Sequence, residues 1–129
     1  MTDRPSLLVW PAIAGGLAGA AGVALSAAAA HVDGSDFVRS AAAIALAHAP
    51  LLILLSLPGT RRIIALPVLP ALMTTLGTML FCGDMVTRAF LDFSLFPYAA
   101  PTGGSLLILG WLATAILALP ALFRRDPAG

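Results

Sequence analysis

The sequence has no lysine and no glutamate; seven arginines and six aspartates carry all of its side-chain charge and leave a net +1 over 129 residues. Adjacent arginines never exceed two, as at Arg61-Arg62 and Arg124-Arg125. No basic stripe is long enough to neutralise a run of phosphates, so nucleic acid is not an expected partner. The single cysteine, Cys82, rules out an internal disulfide, and no CxxC or Cys/His finger spacing occurs. There is no Ser/His/Asp order, nucleophile elbow, HExxH, phosphate loop or dinucleotide fingerprint. With only two histidines, His31 and His48, the catalytic inventory is too thin for an enzyme. No metal and no cofactor is expected. With 10% charged residues against 60% hydrophobic ones, the chain is also too apolar for a water-soluble globule of its length.

What remains is long apolar runs. Crossing ~30 Å of hydrocarbon takes ~20 mainly apolar residues, and four runs qualify, at about 7–30, 37–57, 63–90 and 102–123. Between them stand His31-Val32-Asp33-Gly34-Ser35-Asp36, expected to turn the chain and cap the second helix, then Pro58-Gly59-Thr60-Arg61-Arg62, then an aromatic and proline-rich loop over 91–101. The expected fold is a single all-α membrane domain over 1–129, an antiparallel four-helix bundle. Arg4, Arg61, Arg62, Arg124 and Arg125 fall on one side and Arg39 and Arg88 on the other, which puts both termini in the cytoplasm. The first run exceeds the roughly 7 to 15 apolar residues of a signal-peptide core, so an uncleaved first helix is expected.

Small residues crowd the first span, where Gly15 and Gly19, Gly16 and Ala20, and Ala18 and Gly22 are each four apart. Such spacing lets helix backbones approach closely. Gly77 in the third span and Gly103, Gly104 and Gly110 in the fourth offer matching shallow surfaces.

Polar groups inside a span are costly unless partnered, and therefore mark candidate sites. His48 lies mid-span two residues before Pro50, which frees the carbonyl of Leu46. Asp84 has Arg88 one turn away, so an ion pair is expected. With His31, Asp33, Asp36 and Arg39 at the rim, His48 and Asp84 define a possible small polar cleft opening outward. Haem ligation by His31 and His48 fails on height, since the two differ by roughly 16 Å along the helix axis. Met79, Cys82 and Met85 share a face, a pattern read as packing rather than as a copper(I) site.

Several of these stretches resemble the domain of unknown function 423 family, small four-helix inner-membrane proteins of bacteria with eukaryotic relatives. Ser26 to His31 is similar to the Gly/Ala-rich stretch closing on Ala-His, and His48-Ala49-Pro50-Leu51-Leu52 to the family's His-Ala step before leucines. Pro101-Thr102-Gly103-Gly104 and Gly110-Trp111 are similar to its Pro-x-Gly-Gly and Gly-Trp. The chain departs from the family at Phe81-Cys82-Gly83-Asp84, where an aspartate replaces the second serine of Phe-Ser-Gly-Ser. Pro50 interrupts the second helix, and alanines replace most of the glycines before His31. The resemblance implies a fold and a bacterial inner-membrane location, directs interest to His31 and His48, and supplies no reaction.

A chain with so little mass outside the membrane must act through helix faces, lipid or a pore. The expected role is a non-enzymatic accessory, assembly or structural subunit of a larger membrane complex, or a homo-oligomer, with lipid and other membrane subunits or itself as partners. The alternative is a small proton- or cation-coupled transporter using His48 and Asp84.

Overall fold

The computed structural model describes residues 9–32 and 36–124, and among these every regular element is helical. The elements are α1 (Val9–Ala29), α2 (Asp36–Ser56), a single turn α3 (Thr60–Ile63), α4 (Val68–Leu91) and α5 (Ala99–Ala118), which runs on into a 3-10 turn, Leu119–Phe123. Four of them, α1, α2, α4 and α5 with its extension, are long and apolar enough to cross a membrane.

Proline decides where two spans begin. The third starts at Val68 and not near residue 63, because Leu66 precedes Pro67 and is biased away from helix. Ile64 is already extended (φ −103°, ψ 113°), so the basic pair Arg61-Arg62 stays in the separate turn α3. The fourth starts at Ala99, earlier than residue 102. Pro101 then falls in the first turn, where its missing N–H would have had no partner anyway. The intervening loop shrinks to 92–98, and both its edges, Asp92 (φ 54°) and Tyr98 (φ 69°), are left-handed. The polar residues 33–35 expected to cap α2 lie outside the described residues, as do Arg4 and Arg125. Asp36 is the first residue of α2, where its charge favours the helix N-terminus, and it pairs with Arg39 at 3.0 Å.

The helices pack in a row, α1 on α2, α2 on α4 and α4 on α5, with α1 touching α4 only lightly. Two glycine seams set the outer pairs. On α1 the buried positions Gly15, Gly22 and Ala29 recur every seven residues, the repeat of a supercoiled contact. A Cβ at Gly15 would lie 2.8 Å from the Ala49 carbonyl oxygen, and one at Gly22 would lie 2.6 Å from the Leu46 side chain. On α5 a Cβ at Gly103 would lie 2.6 Å from the Phe81 nitrogen, one at Gly110 2.7 Å from Thr74 Oγ1, and Gly77 of α4 faces the Gly103 carbonyl oxygen at 2.8 Å. Gly19 and Gly104 are looser, with nearest contacts at 3.6 and 3.9 Å, and Gly16 faces open space. One end of the row is closed by Leu51, Leu55, Ile64 and Ala71, with Trp10 and Leu117 packed against them. Two further bonds, Ala65 N–H to the Leu117 carbonyl (3.1 Å) and Arg124 Nη1 to the Arg62 carbonyl (3.1 Å), tie α3 and the following link to the end of the fourth span.

Candidate functional site

His48 sits on the face of α2 turned toward α5, 5% exposed, with both ring nitrogens bonded. Trp111 Nε1 lies 3.0 Å from His48 Nε2, and the rings meet edge-on at 6.0 Å between centroids. An indole N–H only donates, so Nε2 must accept. The proton therefore resides on Nδ1, which donates to the Ile44 carbonyl at 2.7 Å one turn back. The hydrogen bonds thus select the neutral Nδ1–H tautomer, and no lone pair is left for a metal or a ligand. The sequence alone does not single out Trp111 as a partner of His48. A depth match would find it, because both residues are twelve positions into their helices, ~18 Å from each helix start at ~1.5 Å per residue. A tryptophan in hydrocarbon also needs an acceptor for its N–H.

Asp84, wholly enclosed on α4, joins the helix to the loop that follows it. Its Oδ2 accepts from Arg88 Nε at 2.7 Å, the i+4 ion pair expected from the sequence. Its Oδ1 accepts from Ser94 Oγ at 2.7 Å and from the Leu95 backbone N–H at 2.9 Å. The Ser94 hydroxyl in turn accepts from Arg88 Nη2 at 3.0 Å. A carboxylate with three donors, one of them cationic, is satisfied by the protein alone. Asp84 fastens the 92–98 loop beneath the end of α4.

The structure does not bring the sequence-predicted site together. His48 belongs to the α2–α5 contact, while Asp84 and Arg88, ~10 Å and ~4.5 Å from the end of α4 by residue count, belong to the loop. His31 is exposed in the turn after α1, its backbone N–H bonded to the Ala28 carbonyl at 2.9 Å. Asp33 lies outside the described residues. Met79 is turned out of the fold, Cys82 bonds the Ala41 carbonyl at 3.3 Å, and no cluster of three or more His, Cys, Asp or Glu residues suited to a metal occurs among the described residues.

One feature escaped the sequence altogether. Because α1 and α4 barely touch, a cavity of about 330 Å³ lies between them over α2, walled by Ala14, Ala18 and Ala21 of α1, Ala45 of α2, and Thr75 and Thr78 of α4. The Thr75 and Thr78 hydroxyls are buried there without a hydrogen-bond partner, as is that of Thr74, which faces Gly110 of α5 outside the cavity. Ser26, Ser105 and Thr114, by contrast, donate to the carbonyls of Gly22, Pro101 and Gly110 in their own helices.

Four apolar helices joined by short links define a multi-pass membrane protein of the all-α class. The chain matches the family model for a protein of unknown function (DUF423) over residues 18–104, more than half its length, and belongs to that family. The matched stretch contains His31, His48, Asp84 and Arg88, whereas Trp111 lies beyond it. No solved structure matches the chain.

Proposed function

We propose that this protein is a non-enzymatic subunit of the bacterial inner membrane that receives a helix, either from a larger membrane complex or from a second copy of itself, in the cleft between α1 and α4. The observation that carries this reading is the pair of unpartnered hydroxyls, Thr75 and Thr78, in a cleft whose opposite wall on α1 is apolar, with Ala14, Ala18 and Ala21 alongside Leu17 and Leu25. In hydrocarbon an unpaired hydroxyl costs free energy, and a hydrogen bond to an adjacent helix at a small-residue contact removes that cost. The outer surface of α1 supports it too, since only Pro11, Gly15, Gly22 and Ala29 of that helix are buried.

The proposed topology is antiparallel with both termini cytoplasmic. Gly15 meets Ala49 and Ile53 while Gly22 meets Leu46, and Gly77 meets Leu107 while Gly110 meets Thr74, which supports neighbours running in opposite directions. Of the arginines on the other side, Arg39 and Arg88 are each paired with an aspartate, whereas Arg61, Arg62 and Arg124 have no ion pair among the described residues. Positive charge left unpaired at one end supports that end as cytoplasmic.

A coupled carrier would need His48 and Asp84 free to exchange a proton or cation, and no observation favours that reading. Both groups are fully hydrogen-bonded, to Trp111 and to Arg88, Ser94 and Leu95.

A photo-crosslinking residue in place of Ala18, activated in the native membrane, tests the docking. One discrete protein adduct, the same chain or one companion, is expected at residue 18 and none at Ile108 on the exposed face of α5. Lipid adducts alone at residue 18 would contradict the proposal.

A further inference from the structure

At the end of α4 opposite the closed core, a second cavity of about 220 Å³ is lined by Phe37, Arg88, Asp92, Phe93 and Ser94. It contains charges of both signs that do not meet. Arg88 is drawn back by Asp84 and Ser94, which take its Nε and Nη2, and Nη1 bonds nothing among the described residues. Asp92, whose backbone is left-handed (φ 54°), forms no ion pair among the described residues. Arg88, with one unbonded N–H edge, and the unpaired Asp92 thus line a shared space with Phe37 and Phe93.

The surroundings fix the depth of this space. Phe93 lines it, and Phe90, Phe96 and Tyr98, all within nine residues of sequence with Phe93, are exposed as well. Tyrosine is enriched at the headgroup level of a bilayer, and Tyr98 together with the charged Arg88 and Asp92 at the end of an apolar span sets this space at that level. We propose that the cavity binds the headgroup of a zwitterionic phospholipid carrying a primary ammonium, of the phosphoethanolamine type. Arg88 Nη1 donates to the phosphate, and Asp92 accepts from the ammonium.

Charge selects this class over an anionic lipid. With Asp84 and Asp92 beside a single Arg88, the site carries an excess negative charge, and the adjacent Asp36–Arg39 pair adds none. A headgroup with a phosphate and no cation meets one arginine and two carboxylates; one with an ammonium satisfies Asp92 as well. Quaternary choline offers Asp92 no N–H, and so forfeits the directed hydrogen bond. The inference rests on the membrane reading of the chain and is independent of what docks in the α1–α4 cleft.

The test is native mass spectrometry of the full chain after equilibration with an equimolar mixture of phosphatidylethanolamine, phosphatidylcholine and phosphatidylglycerol of identical acyl chains. The wild type is expected to retain one phosphatidylethanolamine about tenfold over either competitor, the ratio that a single charge-assisted hydrogen bond supports. Asp92→Asn and Asp92→Gly are both expected to lose that preference. Asparagine and glycine are the residues that best tolerate a left-handed backbone, so the loop is retained in both, and circular dichroism checks that the helices are intact. Equal retention of the three lipids by the wild type, or an unchanged preference in both variants, would overturn the proposal.

Discussion

Replacing Asp84 by asparagine distinguishes a structural carboxylate from a transporting one. Asparagine is nearly isosteric, and its Oδ1 can still accept from Ser94 and the Leu95 N–H. Its amide NH2 then points at Arg88 Nε, where the carboxylate accepted a bond of 2.7 Å, so two donors face each other. A hydrogen bond to a charged group contributes ~1.5–3 kcal/mol, and removing one member of a fully buried pair costs ~3–5 kcal/mol. Arg88 is 38% exposed at its side chain and can turn toward headgroup water, which lowers the penalty. We therefore expect a loss of ~2–3 kcal/mol, a factor of ~30–150 in the folding equilibrium. Reversible unfolding in mixed micelles, titrated with a denaturing detergent, measures it. The double variant Asp84→Asn with Arg88→Met should recover part of the loss, because the stranded cation is gone. An Asp84→Asn variant as stable as the wild type to within ~0.5 kcal/mol would refute the assignment of Asp84 as a structural anchor.

Further outcomes follow from the packing and from the second polar pair. A double-mutant cycle with His48→Phe and Trp111→Phe should give a coupling of ~0.6–1.7 kcal/mol in membrane unfolding, the range of single interhelical hydrogen bonds, and additive losses would contradict the bond. Gly103→Ala places a Cβ 2.6 Å from the Phe81 backbone nitrogen, which cannot retreat without moving α4, so a destabilisation of ~1–3 kcal/mol is expected. Gly16→Ala meets open space and should leave unfolding within ~0.5 kcal/mol of the wild type; equal losses at the two glycines would contradict the packing described.

Long apolar runs made the four spans legible in the sequence, and the i+4 spacing made the Asp84–Arg88 pair legible. The glycines were legible as packing residues but not by face. A helix apolar all round carries no polar side to orient it, so nothing in the sequence separates Gly15, pressed on Ala49, from Gly16, which touches nothing. The expected polar cleft joined His48 to Asp84 through approximate depth alone. Their true partners come from elsewhere in the chain: Trp111 is 63 residues from His48, and Ser94 and Leu95 reach Asp84 after the chain turns at Asp92, whose left-handed backbone is rare outside glycine. The α1–α4 cleft was hidden for a related reason. It exists because two helices fail to pack, and each sequence separately looks suited to close contact.

The central claim is that the chain functions by holding another helix, and native mass spectrometry of the protein released from its own membrane in the mildest workable detergent tests it most directly. The account predicts a fixed-ratio assembly, with companion subunits or with further copies of the chain, that dissociates when Thr75 and Thr78 are both replaced by valine while the monomer stays folded. A wild-type protein that emerges as a monomer carrying only lipid would contradict it.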